Sequence, residues 1–242
     1  MDTASEPLYK SEVFREPRLI LCEGESDCAF FRSLLEGRRI PGFQVVKPAG
    51  GKDGFKDRLD AFPAITGFED VLLIVLVRDN DDDPARSFKH LQTQIREADG
   101  YKAPGRRLEL AKGVNGVFVT IMMLPWLRQP GNLETIILRA ISDKWKNLRV
   151  CLKDYLKCSP ARQWTKSKKD KMLLQCMIAA TCKDDPNCSQ SYMWQKKKGF
   201  QPLLGNPCFD QIESFLIKLK GHPRLQPSPT PSLPFSSDTQ LP

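Results

Sequence analysis

The first two-thirds of the chain alternates short apolar runs with stretches whose apolar residues recur at helical spacing. Arg18 to Cys22 (RLILC) is a compact apolar run ending in Glu23-Gly24, and it predicts a buried strand. Ser26 precedes a stretch reaching about Arg39 in which Ala29, Phe30, Ser33 and Leu34 fall at helical spacing. Phe43 to Val46 predicts a second strand, which empties into Pro48-Ala49-Gly50-Gly51-Lys52. A second helix follows over Asp53 to Ile65, with Phe55, Leu59 and Phe62 on one face. Val71 to Val77 (VLLIVLV) is the most apolar run and belongs at the centre of a parallel sheet, covered on both faces. It stops at Arg78-Asp79-Asn80-Asp81-Asp82-Asp83, and Pro84 opens a third helix reaching about Glu97. Val117 to Leu124 predicts a fourth strand, and Leu133 to about Ser142 an amphipathic helix beyond a loop with Pro125, Pro130 and Gly131.

Strand and helix units repeated in this way predict an α/β fold with a central, mostly parallel sheet. Right-handed crossovers bring all strand C-termini to one edge, where open α/β sheets bind their ligands. Glu23 and the cluster Asp79, Asp81, Asp82 and Asp83 collect at that edge. Crowded carboxylates raise one another's pKa unless a cation neutralises them. A hard divalent ion, Mg2+ or Mn2+, suits such an edge, because it takes oxygen ligands and keeps several waters. Aspartate also caps helices and favours turns, which explains one or two of these acids but not five at two strand ends. A calcium loop of the EF-hand kind is excluded, since Pro84 and His90 stand where it needs glycine and glutamate. No GxxxxGK[ST] motif occurs, so ATP hydrolysis is not expected.

Composition adds bounds. With 242 residues, 40% of them hydrophobic, the chain holds one full domain plus a smaller partner, and is neither disordered throughout nor fibrous. Its longest apolar run, Val117 to Leu127, falls short of the roughly 18 residues of a membrane span. Met1 to Glu6 is acidic and polar, unlike a secretory signal, so a cytoplasmic location without membrane contact is expected. The eight cysteines form no CxxC pair; they read as reduced, buried thiols or as a C-terminal metal-binding cluster.

Charge divides the chain unevenly. Residues 1–143 carry 20 Lys and Arg against 22 Asp and Glu, whereas residues 144–220 carry 16 against 6. The excess concentrates at Lys166, Lys168, Lys169 and Lys171 and at Lys196, Lys197 and Lys198, with Trp145, Trp164, Tyr192 and Trp194 interleaved. Such a surface binds DNA or RNA through phosphates and stacked bases, or is a solvated helix face over core tryptophans. From Gly221 the composition turns proline-rich, predicting a disordered tail. The expected division is an N-terminal extension (1–15), an α/β domain (16–143), a basic, mainly helical region (144–220) and the tail (221–242).

The turn LILCEGESD, followed one βαβ unit later by an apolar strand ending in Asp79-Asn80-Asp81, resembles the Toprim domain over residues 16–143. That Rossmann-like domain is shared by topoisomerases, bacterial-type primases, the small ribonuclease that matures 5S ribosomal RNA, recombination mediators and the overcoming-lysogenisation-defect nucleases. In more detail the chain is similar to small, stand-alone, functionally uncharacterised Toprim-like proteins of bacteria and archaea. The shared segments are Glu23-Gly24-Glu25-Ser26-Asp27, Gly50-Gly51-Lys52-Asp53 and Pro130-Gly131-Asn132-Leu133-Glu134. The resemblance implies Glu23 as general acid or base, and Asp79 and Asp81 as magnesium ligands. It leaves Asp83 as a third ligand or a helix cap, and Glu134 as a ligand or a first-turn helix acid. Asp27 joins the same site if its turn is helical, and Lys52 approaches a substrate phosphate. The chain departs from the common pattern where many members place a glycine soon after the DxD; here Asp82-Asp83-Pro84 follow.

A lone unit of this kind has no room for a topoisomerase's tyrosine domain or a primase's zinc module. What the resemblance implies is Mg-dependent nuclease activity in RNA processing or phage defence, with a protein partner in a defence or repair system. The alternatives are a non-catalytic nucleic-acid-binding or adaptor module, and a metal-binding regulatory domain.

Overall fold

A computed structural model describes residues 12–126, 128–182, 185–194 and 201–226. Five strands form one sheet: β1 (Arg18–Cys22), β2 (Gln44–Val45), β3 (Leu73–Asp79), β4 (Ala111–Lys112) and β5 (Phe118–Leu124). Their order is β2-β1-β3-β5-β4, with all neighbours parallel except β4 against β5. The fold is thus α/β with a mostly parallel central sheet. The chain runs outward from β1 through α1 (Glu25–Gly37) to β2, then returns past it through α2 (Phe55–Ala61) to β3. The order reverses between β1 and β3, and a crevice opens at their C-terminal ends, as at the switch point of other open α/β sheets.

Period-two alternation assigns each strand residue to a side. Ile20, Cys22, Val75, Val77, Met122 and Leu124 join one core, which also takes α1, α4 (Leu133–Lys144), α6 (Lys166–Thr181) and α8 (Asp210–Lys220). Leu19, Leu21, Ile74, Leu76, Val119 and Ile121 join the other, under α2 and α3 (Pro84–Glu97). With both faces covered, the central strand is apolar almost throughout, as its sequence requires.

The third strand sits two residues later than the apolar run suggests. Leu73 starts it because Arg18, its partner, starts β1, and pairing with β5 carries it through Arg78 to Asp79. The second helix is shorter than expected: it ends at Ala61 and passes into a 3-10 turn, Phe62–Ala64, containing Pro63. The edge strand β4 has only two residues and carries no sequence signal.

The region after α4 is helical, with α5 (Lys146–Cys158), α6, the short α7 (Gln190–Met193) and α8. Its Leu174, Met177, Trp194, Phe209 and Leu216 share the core of α1 and α4. Arg38 at the end of α1 donates to the Leu204 and Asn206 carbonyls and to Asp210 and Glu213, tying α8 down. Two boundary expectations are corrected. Residues 12–14 belong to the body, since Glu12 pairs with buried Arg58 and Phe14 lies in the core. Residues 221–226 also pack onto it: Leu225 is buried and its carbonyl accepts from Arg18. The rest of the proline-rich segment lies outside the described residues. All eight cysteines are free thiols, with Cys22, Cys28, Cys182 and Cys188 buried. Among the described residues no helix is long and apolar enough to cross a membrane.

Beyond β3 the backbone is held tightly. Asn80 is 0% exposed and its amide donates to the carbonyls of Pro125 (2.7 Å) and Gln129 (2.9 Å), fixing the loop that leads into α4. Asn80→Ala leaves both carbonyls without this donor, and a buried group so stranded costs about 1–3 kcal/mol. Equilibrium urea unfolding is expected to show a loss of at least that size; a loss under about 0.5 kcal/mol would mean the loop is held by other contacts.

Candidate metal centre

The alternation that builds the two cores also separates the charges at the end of β3. Arg78 follows the parity of Ile74 and Leu76, so it emerges on the side of α2 and α3. Asp79 follows Val75 and Val77 and emerges towards α1 and α4. Cys22 is level with Val77, so the next residues, Glu23 and Arg78, leave the sheet side by side. The Glu23 Oε2 to Arg78 Nε distance is 3.9 Å.

On the α1 and α4 side a cleft of about 420 Å³ is lined by Glu23, Asp27, Asp79, Glu134, Lys171 and the Gly50-Gly51 turn. Helix α1 starts at once after Gly24, so Asp27 lies in its first turn, where it accepts from the Gly24 N–H at 3.1 Å. Asn132 caps α4 by accepting from the Thr135 N–H, which fixes Glu134 in that helix's first turn. Asp79 Oδ1 accepts from the Leu133 N–H at 2.9 Å, anchoring one carboxylate oxygen on the same helix end. Gly131 precedes the cap because only hydrogen fits there: a Cβ would lie 2.4 Å from Thr135 Oγ1. Gly50 and Gly51 both take left-handed φ, and Gly51 N–H donates to the Glu23 carbonyl.

The four carboxyls hold protons more tightly than usual. Burial raises Asp79 well above the ordinary range, with Asp27 and Glu134 adding to it and Lys171 opposing. Asp27 is pushed up to about 6 by burial and by Glu134. Burial raises Glu134, against the pull of Lys171. Glu23 is raised by burial, partly offset by Arg78, with Asp27 and Asp81 adding to it. The cation among them is Lys171; burial works against its charge, but Glu134, Asp79, Asp81 and Glu23 together hold the ammonium above its usual pKa. Glu23 Oε2 and Glu134 Oε2 are buried without a hydrogen-bond partner.

Those two orphaned oxygens and the mutual repulsion fit a divalent cation. Among the described residues no group of three or more His, Cys, Asp or Glu side chains is arranged to hold a metal ion by itself. Magnesium does not require such a group, since it relies on one or two carboxylates, water and substrate phosphate, whereas structural zinc does. Asp79 and Glu134 are the carboxylates that would hold such an ion, with Glu23 beside them.

The other expected site residues separate. Asp81 and Lys52 line a neighbouring cleft of about 550 Å³ with Arg78, Arg86 and His90. Asp81 takes a left-handed φ of 52°, and its carbonyl accepts from the Gly131 N–H at 2.7 Å. Asp83 caps α3, its Oδ1 accepting from the N–H groups of Ala85 and Arg86. Asp82 accepts from the Ser167 N–H, joining the acidic loop to α6.

Of the basic residues, Lys171 enters the acidic cleft, Lys166 pairs with Asp170, and Lys168 is exposed with Lys169 half-buried on α6. Lys196, Lys197 and Lys198 lie outside the described residues. Trp194 is a core residue and Trp145 packs against the core, whereas Trp164 and Tyr192 are exposed. Sequence reasoning missed Arg78, which is only 3% exposed and faces Glu23 across 3.9 Å. Its Nη1 donates to His90 Nδ1 at 2.9 Å, which turns His90 Nε2 to Asp53 at 3.4 Å. An arginine at the end of so apolar a run was the available signal.

The model of a family described as protein of unknown function (DUF3226) matches residues 17–219. No curated protein is significantly similar to the chain. A solved hypothetical protein from Pyrococcus horikoshii OT3 is 18% identical over 85% of this chain and 97% of its own, with a TM-score of 0.49. The C-terminal region of the OLD protein of Xanthomonas campestris pv. campestris is 14% identical over 85% of this chain and 93% of its own, with a TM-score of 0.38.

The raised carboxyls have a thermodynamic consequence. Between the ordinary aspartate value of 3.8 and about 6, folded Asp27 keeps a proton that the unfolded chain has released. Stability in EDTA is therefore expected to fall as pH rises through that window, the reverse of a salt-bridged carboxylate. Urea unfolding from pH 4 to 6.5 measures it, and Asp27→Asn should flatten the profile; a rise in stability over the window would contradict the arrangement.

Proposed function

The chain belongs to the DUF3226 family, and from that premise we propose that its acidic edge binds Mg2+ or Mn2+ and hydrolyses phosphodiester bonds of DNA or RNA. The observation that carries this reading is the convergence of Glu23 from the β1–α1 turn, Asp27 from α1, Asp79 from β3 and Glu134 from α4 at the switch point of the sheet, with Lys171 beside them. The Toprim resemblance of the same segments supports it, and RNA processing or phage defence in the cytoplasm, with a defence or repair protein as partner, is the setting it implies.

The bound ion would polarise the phosphoryl group and lower the pKa of attacking water. The rest falls to the chain's own side chains. Asp79, anchored through one oxygen on the Leu133 N–H, would hold the ion with the other. Glu134 offers its orphaned Oε2 from the opposite wall. Glu23 moves the proton: burial raises its pKa towards the working range while Arg78, 3.9 Å away, keeps the carboxylate accessible and oriented. Lys171 balances the carboxylates before the ion arrives and is then placed to meet a phosphoryl oxygen. Lys168 and Lys169, one turn away on the outer face of α6, supply contacts to the nucleic-acid backbone.

Glu23→Gln is nearly isosteric and removes the ionisable group, so turnover of labelled DNA or RNA with Mg or Mn should drop about 10²- to 10⁴-fold while cation binding persists. Asp79→Asn should weaken binding first and be partly rescued by more metal. Titration calorimetry with Mn2+ separates the two effects. Cleavage by Glu23→Gln at the wild-type rate, or none by wild type with either metal, overturns the hydrolytic reading; in the second case a non-catalytic nucleic-acid-binding module takes its place. Equal Mn2+ binding by wild type and by the double variant Asp79→Ala, Asp81→Ala removes the metal site itself.

Removing the ammonium tests the balance of charge directly. Lys171→Gln should bind Mn2+ several-fold more tightly, because the ion no longer competes with a resident cation, while turning over more slowly. Weaker Mn2+ binding by this variant would show that Lys171 supports the site through packing rather than charge.

A further inference from the structure

Beside the α3 end of the acidic loop lies a wider cleft, about 820 Å³, lined by Asp83, Pro84, Phe88, Arg106, Arg107 and Arg128, with Ala85 and Gly105 between them. Asp83 lines this cleft and the Lys52–Arg78–His90 cleft alike, so the two share one wall. We infer that Arg106, Arg107 and Arg128 form a phosphate subsite that holds the nucleic-acid backbone on the α3 side of the acidic loop. This rests on nucleic acid being the substrate, as proposed above, and assigns its backbone a place outside the lysine-rich helix.

Three observations carry it. First, Arg107 is rigidly placed: its guanidinium lies 4.9 Å over the Phe88 ring and donates to the Pro84 carbonyl, so little entropy is lost on using it. Second, the guanidinium is underused. Nε of Arg107 is buried without a partner, and among the described residues no carboxylate forms an ion pair with Arg106, Arg107 or Arg128. The two nearby acids are committed elsewhere: Asp83 Oδ1 caps α3, and Glu109 accepts from the Arg106 backbone N–H at 2.9 Å. Third, the cations repel one another. Burial lowers the pKa of Arg107, and the neighbouring Arg128 charge lowers it further. A phosphate bridging Arg107 and Arg128 relieves the repulsion and satisfies the free donors, and planar guanidinium forks match phosphate geometry.

Binding is measured apart from cleavage, by anisotropy of fluorescein-labelled single-stranded DNA and RNA oligonucleotides in EDTA, across a salt titration. Each phosphate contact contributes about 0.7 to the slope of log K against log salt for a single strand, which at 0.1 M is about 5-fold in affinity. Arg107→Gln and Arg128→Gln should each show that loss and that shallower slope, and the double variant their product. Arg128 is exposed, so its variant carries the test should Arg107→Gln fail to fold. Phe88→Leu keeps the packing but frees Arg107, and a smaller loss is expected. If wild type binds and the arginine variants match it in affinity and slope, the subsite is wrong while the hydrolytic reading stands. If binding depends on the arginines but nothing is cleaved with Mg or Mn, the subsite stands and hydrolysis falls. No binding by wild type at low salt overturns both.

Discussion

Because β3 is buried on both faces, each successive residue along it must commit to one side of the sheet. That constraint reaches past the apolar run. Arg78 and Asp79 are neighbours in sequence, yet the pleat sends the guanidinium towards α3 and the carboxylate towards α4. Two adjoining clefts of different character arise from one strand end, and Glu23, leaving β1 level with Arg78, stands where they meet. A one-residue slip of β3 against β1 would exchange the two side chains and dismantle both clefts.

The acidic cleft sets stability against use. Four carboxyls raised in pKa are four groups that folding makes harder to ionise, and the single ammonium of Lys171 offsets only part of this. Around them the backbone is fixed by Asn80, by the Asn132 cap and by the close approach of Gly131. Strain of charge is thus confined to side chains held on strand and helix ends, while the backbone that carries them is fixed by its own hydrogen bonds.

Much of this was legible in the residues. Apolar runs located β1, β3 and β5, and Ser26, Pro84 and the loop with Pro125, Pro130 and Gly131 placed the following helices within a few positions. Glu23, Asp27, Asp79 and Glu134 were all marked as candidates, and they meet because each lies within the first turn of a helix or at the end of a strand. Asp83 was left between ligand and cap, and its bonds to Ala85 and Arg86 show the cap. Other features had no local signal. The string Lys166, Lys168, Lys169 and Lys171 looks uniform, and only tertiary packing of α6 on α4 puts Lys171 on the wall of the acidic cleft and leaves Lys168 away from it. Likewise nothing near Arg107 and Arg128 in sequence announces that they share a wall, since they sit on opposite sides of β4 and β5.

Helix α6 grips the site from behind: the Ser167 N–H reaches Asp82, its carbonyl accepts from Asn132, and Asp170 accepts from Thr135. Lys171 is therefore delivered about 90 residues after Asp79, by a segment that docks on both helix cap and acidic loop. The cation that offsets the carboxyls and the strand ends that carry them thus come from distant parts of the chain, so the electrostatics of the cleft depend on the docking of α6 as much as on the sheet.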